Sequence, residues 1–219
     1  LLPVLYSFRR CPYAIRARYT LAFLSVSVYL REVVLKAKPD ALLSLGGRST
    51  VPQLIDVDGA RYAESTDIIF WALSKSSLKN RSQQVWPAEI KQRNNMKAWI
   101  AYNDHFFKYW LDRYKYADRY PYFSEVYYRS KGEVFLQRLE NRLKKRRFLF
   151  GESETLPDIM IFPFVRQFVA VNQSWFDSSH YNNVKVWLAR FVNSALFQSV
   201  VMTKYVAWEA GQAEVPFPA

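Results

Sequence analysis

Two hydrophobic periods divide this chain of 219 residues. Through about the first 75 residues, short apolar runs bounded by turn residues alternate with helix-spaced ones; beyond residue 89 only the helical spacing persists. PVLYSF at 3–8 predicts a short buried strand and Arg9-Arg10-Cys11 a loop. Pro12 then opens a helix from its favoured first-turn place, with Ile15, Tyr19, Ala22 and Phe23 at helical spacing. VYLREVVL at 28–35 predicts a second strand and KAKPDALLSL a turn and short helix. TVPQLIDVDGARYAE predicts two strands about a turn at Asp58-Gly59, and ESTDIIFWALS a helix with Ser65 as candidate cap. The order is β-α-β-α-β-β-α. Residues 77–88 are polar and aperiodic and read as a linker, and helices are predicted over 89–118, 124–145, 157–171, 182–193 and near 195–203. The expected organisation is a domain over 1–76, a linker over 77–88 and an all-helical domain over 89–219.

Hydrophobic residues at 50% and charged residues at 23% are ordinary for a soluble globular chain. No apolar run reaches the length of a membrane span, and the opening LLPVLYSF lacks the basic front of a secretion signal, so a cytoplasmic protein with no membrane partner is expected. The net charge of +12 invites a nucleic-acid reading. Its densest run away from Cys11, KKRR at 144–147, follows the helical VFLQRLENRL, where cations complement the negative helix end. With no recognisable nucleic-acid motif, no nucleic-acid partner is expected. His105 and His180 stand far apart without a ligand pattern around them, so no metal is expected either.

The single cysteine, Cys11 in RRCPYAIRAR, cannot form an internal disulfide. At a helix N-terminus a thiol meets the positive end of the helix dipole and unpaired N–H groups, which favour the thiolate, and Arg9 and Arg10 would add to this if they lie near the sulfur. Ala14 stands where dithiol redox proteins carry a second cysteine. A mixed disulfide on Cys11 would therefore need an external thiol to resolve it. The plainer alternative is a thiol packed as a small hydrophobe.

Cys11-Pro12-Tyr13-Ala14 at the first strand-to-helix junction, Val51-Pro52 before the third strand, Glu64-Ser65 before the next helix, and Thr155-Leu156-Pro157-Asp158 with Pro163 follow one another in a fixed order. In this the chain resembles the glutathione S-transferases, and more narrowly the cysteine-type omega class and related bacterial omega-like proteins. The resemblance implies an α/β thioredoxin-like N-terminal domain plus an all-α C-terminal helical domain, glutathione as substrate, and a homodimer. It implies Cys11 as the catalytic residue and a glutathione site made of Tyr13, Leu35, Lys38, Val51, Pro52, Glu64 and Ser65. In that set Lys38 meets the glycine carboxylate, Val51 offers its backbone to the cysteinyl part, and Glu64 and Ser65 receive the γ-glutamyl end. Pro52 resembles the family's cis-proline, where sequence alone predicts trans. Thr155 and Asp158 resemble the family's capping motif, a folding element whose loss costs about 0.5–2 kcal/mol.

The sequence departs from the family pattern at Arg10, where an aromatic residue is common, and in its aromatic helix, KAWIAYNDHFFKYWLDRYKYADRYPYF. Phe107, Trp110, Arg113 and Tyr114 there are candidates for a second-substrate pocket. Tyr6 and Ser7 lie where other classes keep a catalytic hydroxyl, but Cys11 is preferred as the stronger nucleophile. The expected function is thiol transfer or deglutathionylation through a Cys11–glutathione mixed disulfide, with a small electrophilic or disulfide second substrate. Two other functions compete: conventional conjugation of electrophiles, and an interaction module of the same fold like the stringent starvation proteins.

Overall fold

The structure is a computed structural model and describes residues 1–218. The chain divides into two units, one made of Leu1–Ser82 together with the chain from Ser194 onward, the other of Gln83–Asn193.

The first unit is built on a mixed sheet. Strand β1 (Val4–Ser7) is followed by helix α1 (Pro12–Phe23), β2 (Val28–Glu32), the short α2 (Asp40–Leu43), β3 (Gln53–Ile55), β4 (Arg61–Tyr62) and α3 (Ser65–Lys75). β1 lies parallel to β2 and antiparallel to β3, with Leu5 opposite both Leu30 and Leu54. Leu5, Tyr6 and Ser7 are all buried, as expected of a central strand covered on both faces. The turn between β3 and β4 closes through Gly59, whose φ of 85° suits glycine. Helix α1 is buried nearly all round, Arg16 and Arg18 included.

The chain from Ser194 onward returns to this unit through a π-helical turn, Leu196–Val201, and ends in β5 (Pro216–Phe217). β5 pairs antiparallel with β2, completing the sheet order β4-β3-β1-β2-β5. Residues 194–218 therefore do not belong to a helical domain running from 89 to the end. Nor do residues 77–88 form a plain linker: helix α4 (Lys79–Val85) occupies most of that stretch and buries Val85.

The second unit is helical. α5 (Ile90–Ala101) passes through a π-helical turn, Tyr102–Phe107, into α6 (Lys108–Lys115); then come α7 (Glu125–Leu143), α8 (Leu156–Val169), α9 (Gln173–Ser178) and α10 (Asn182–Val192). α8 is buried along almost its whole length. Phe107 stacks on Phe135 with ring centroids 4.5 Å apart, and Phe162 stacks on Phe191 at the same separation. Two buried carboxylates anchor this core. Glu140 accepts from the backbone N–H groups of Asn183 and Val184 at the start of α10, and Asp158 caps α8 through the Thr155 N–H at 2.9 Å.

Candidate active site

Cys11 is the N-cap of α1, in extended backbone (φ −77°, ψ 123°) immediately before Pro12. Its thiol is half-buried and donates to the Val51 carbonyl oxygen at 3.6 Å. The Val51–Pro52 bond is cis. Around this point lies a cavity of about 500 Å³ lined by Cys11, Tyr13, Leu35, Lys38, Arg48, Thr50, Val51, Pro52, Ala63, Glu64 and Ser65. The structure thus brings onto one surface Cys11 and all seven residues singled out with it: Tyr13, Leu35, Lys38, Val51, Pro52, Glu64 and Ser65.

Three segments converge there. α1 carries Cys11 and Tyr13; the segment after β2 carries Leu35 and Lys38; the loop before β3, with the start of α3, supplies the rest. At α3 the cap is Glu64, not Ser65 as the sequence predicted: Glu64 is extended (φ −114°, ψ 143°), and Ser65 is the first helical residue. The Ser65 hydroxyl is instead tied to α1, accepting from Arg16 Nε at 2.9 Å. Arg16 is 2% exposed and lies 4.9 Å from the Tyr13 ring centroid. A buried guanidinium therefore stands directly behind the helix start that faces the cavity, where backbone N–H groups already favour an anion.

The other candidate nucleophiles are engaged elsewhere. The Tyr6 hydroxyl accepts from Arg31 Nη1 at 2.7 Å, and the Ser7 hydroxyl accepts from Arg18 Nε at 2.8 Å. Both are buried and neither lines the cavity. Arg9 and Arg10 do not line it either. The Arg9 backbone N–H donates to Glu32 and its guanidinium to the Met202 carbonyl, while Arg10 lies over Phe8. Arg18, fully buried, pairs with Glu32 and donates to the Val201 carbonyl at 3.3 Å, with burial the main influence lowering its pKa. This arginine holds the unit together and has no part in the cavity.

The proposed second-substrate residues fare unevenly. Phe107 and Tyr114 are core side chains of the helical unit, 0% and 1% exposed, and both pack on Phe168, at 5.2 and 4.8 Å. The helical period could show that they share a face, but not that α8 covers that face. Trp110 and Arg113 are half-exposed; the Arg113 guanidinium lies 3.3 Å from the Tyr109 ring centroid.

Sequence reasoning missed Arg16, Arg48, Thr50 and Ala63. Arg16 left one signal, a cation shared only with Arg18 on a mostly apolar helix; Arg48 left another, a cation after two glycines just before Val51-Pro52. Among the described residues no three His, Cys, Asp or Glu side chains gather as a metal site, and no helix is long and apolar enough to cross a membrane.

A thioredoxin-like unit with a cysteine opening its first helix and a cis-proline beside the sulfur, joined in one chain to a helical unit, defines a glutathione-transferase type of fold. Residues 5–80 match the family model described as the glutathione S-transferase N-terminal domain and residues 131–190 the one described as its C-terminal domain, together more than half of the chain. The chain belongs to the glutathione S-transferase superfamily. No curated protein matches it by sequence. Among solved structures it is similar in fold to "Glutathione S-transferase unclassified 2" of Bombyx mori, at 16% identity and a TM-score of 0.75, covering 88% of each chain. It is also similar to a glutathione transferase family member of Pseudomonas fluorescens Pf-5 solved with two glutathione bound, at 19% identity and a TM-score of 0.74, covering 90% of this chain and 91% of that one. A possible glutathione S-transferase of Rhodopseudomonas palustris aligns at 22% identity and a TM-score of 0.73, covering 94% of this chain and all of that one (100%).

Proposed function

We propose that the protein is a glutathione-dependent thiol transferase working through Cys11. The observation that carries this reading is the company Cys11 keeps: it lines the cavity with Lys38, Glu64 and Ser65, while the hydroxyls of Tyr6 and Ser7 are buried against arginines. Glutathione offers two carboxylates, one ammonium and one thiol. Lys38 suits its glycine carboxylate, Glu64 its ammonium, and Ser65 with the N–H groups of α3 its γ-glutamyl carboxylate. The backbone of Val51 suits the cysteinyl residue, in the manner of an added strand.

In the first step the Cys11 thiolate attacks the glutathione sulfur of a glutathionylated substrate. The Cys11–glutathione disulfide forms, the substrate–glutathione disulfide breaks, and the substrate leaves as a thiolate that takes up a proton. In the second, the thiolate of another glutathione attacks the glutathione sulfur of the mixed disulfide. Oxidised glutathione departs and the Cys11 thiolate is restored, so electrons balance with no other oxidant or reductant.

The test is mass spectrometry of the protein incubated with oxidised glutathione, before and after addition of reduced glutathione. One glutathione adduct on Cys11, removed by reduced glutathione and absent from Cys11→Ser, is the expected result. An unmodified Cys11 overturns the reading.

A further inference from the structure

Beside the thiol cavity, across Glu64, lies a second recess of about 340 Å³, lined by Gly47, Arg48, Thr50, Arg61, Ala63 and Glu64. Arg48, Thr50, Ala63 and Glu64 line both spaces, whereas Cys11, Tyr13 and Ser65 line only the first. The recess therefore adjoins the cavity on the side away from the sulfur.

Its wall is braced. Gln53, fully buried, donates through Nε2 to the carbonyls of Arg48 (2.7 Å) and Thr50 (2.8 Å) and accepts from Arg61 Nε at 2.9 Å. Arg61 also donates to the Gly46 carbonyl at 3.0 Å. The guanidinium of Arg61 is thus spent on holding the loop. That of Arg48 is not: the residue is exposed and makes no ion pair among the described residues. An uncommitted guanidinium at the edge of a braced hollow suits a carboxylate, which it can bind with two parallel hydrogen bonds.

We propose that this recess takes an acidic extension carried on the γ-glutamyl amine of the thiol peptide, so that the site accepts γ-glutamyl-cysteinyl oligomers as well as the tripeptide. The inference rests on the glutathione reading of the Cys11 cavity. In that reading the γ-glutamyl amine meets Glu64, one of the four residues shared by the two spaces and the only carboxylate among them, so the amine is the atom placed on the side of the recess. Acylation there removes the positive charge but leaves an N–H for Glu64 to accept. The next γ-glutamyl carboxylate then extends toward Arg48. A neutral group on the same amine gains room but no partner, and an extension at the glycine end runs toward Lys38 and Leu35, which have no part in the recess.

The experiment is calorimetric titration under reducing conditions with glutathione, N-acetylglutathione and (γ-glutamyl-cysteinyl)2-glycine, on the wild-type protein and on Arg48→Gln. Arg48 is exposed, so the variant is expected to keep its fold, which circular dichroism and its melting temperature check, and the quantity read is the oligomer-to-glutathione affinity ratio within each protein. The oligomer is expected to bind wild type at least about fivefold more tightly than glutathione, N-acetylglutathione no more tightly, and the oligomer's advantage to disappear in Arg48→Gln; fivefold is about 1 kcal/mol, the scale of one exposed charge-assisted pair. Glutathione binding with the oligomer excluded, or an oligomer advantage that persists in Arg48→Gln, overturns the recess inference alone. Failure of glutathione itself to bind overturns the function reading beneath it.

Discussion

Four hydrogen bonds converge on the carboxylate of Asp158, which is fully buried. They come from the backbone N–H groups of Leu149 and Thr155, the Thr155 hydroxyl and the Trp187 indole, at 2.6–2.9 Å. A plain cap is worth about 0.5–2 kcal/mol. Here Leu149 and Trp187, which lie outside the cap, would also be left with buried unmet donors. Asp158→Ala is therefore expected to cost on the order of 3 kcal/mol in chemical denaturation while leaving glutathione binding unchanged; a loss below about 1 kcal/mol would contradict this. Asp56 contributes to stability against acid. Burial works to raise its pKa, but donation from the Trp71 indole (2.7 Å) and the Val57 N–H (2.8 Å), with Lys75 at 3.2 Å, outweighs burial and holds the carboxyl below the usual carboxylate range. A carboxyl lowered on folding contributes stability above its unfolded value of about 3.9, and that share is lost as pH falls through the folded value. Asp56→Asn should thus be less stable than wild type at pH 7, with the gap closing below about pH 4 in denaturation curves taken across pH; a gap constant with pH would rule the linkage out. Cys11 and the seven cavity residues named with it were legible because they lie in or beside short motifs of the family pattern, whereas Arg48, Thr50 and Ala63 belong to no such motif. Arg16 and Arg18 were not legible, because an arginine on a helix normally reads as solvated, and only the surrounding hydroxyls and Glu32 make burial tolerable.

Gly132 shows what one helix requires of another. A Cβ at this position of α7 would stand 2.4 Å from Cε2 of Phe168 on α8. The Phe168 ring is packed among Phe107, Tyr114 and Trp175 and has little room to retreat. In an exposed helix Gly→Ala gains about 1 kcal/mol of propensity; overpacking a core costs about 1–3 kcal/mol. Gly132→Ala is therefore expected to lower the melting temperature, and a rise would mean that the two helices can separate at little cost. Local pattern predicted most elements, including the turn at Gly59 and helices α7, α8 and α10, because each has its own periodicity or cap. It predicted one helix through 89–118 where the chain widens into a π-helical turn at Tyr102–Phe107, since a wider turn leaves the apolar spacing almost unaltered. It missed α4 and α9, short helices of seven and six residues with little periodicity to detect.

The first unit is discontinuous in sequence, and its last strand holds the edge of its sheet. β5 is two residues long after a polar stretch, so nothing local marks it as a strand; its partner β2 defines it. The Leu30 N–H donates to the Val215 carbonyl at 2.8 Å, and Phe217 is fully buried. Arg31 ties the same segment down, pairing with Glu214 and lying 4.0 Å from the Trp208 ring centroid. Part of the chain's +12 charge is thus engaged within this unit by Arg16, Arg18 and Arg31. Ending the chain at Tyr205 removes Trp208, Glu214 and β5 together. Burying one phenylalanine side chain is worth about 1.5–3 kcal/mol, and the bare edge of β2 would also lose its backbone partners to water. Hydrogen exchange gives a local readout of that loss: in the truncated chain the Leu30 amide is expected to lose protection by at least about tenfold, while the amides of β1, flanked by β2 and β3, retain more of theirs. Equal protection at Leu30 with and without the segment would mean that β2 does not depend on β5 for its order, and that the tail merely rests on an edge already stable by itself.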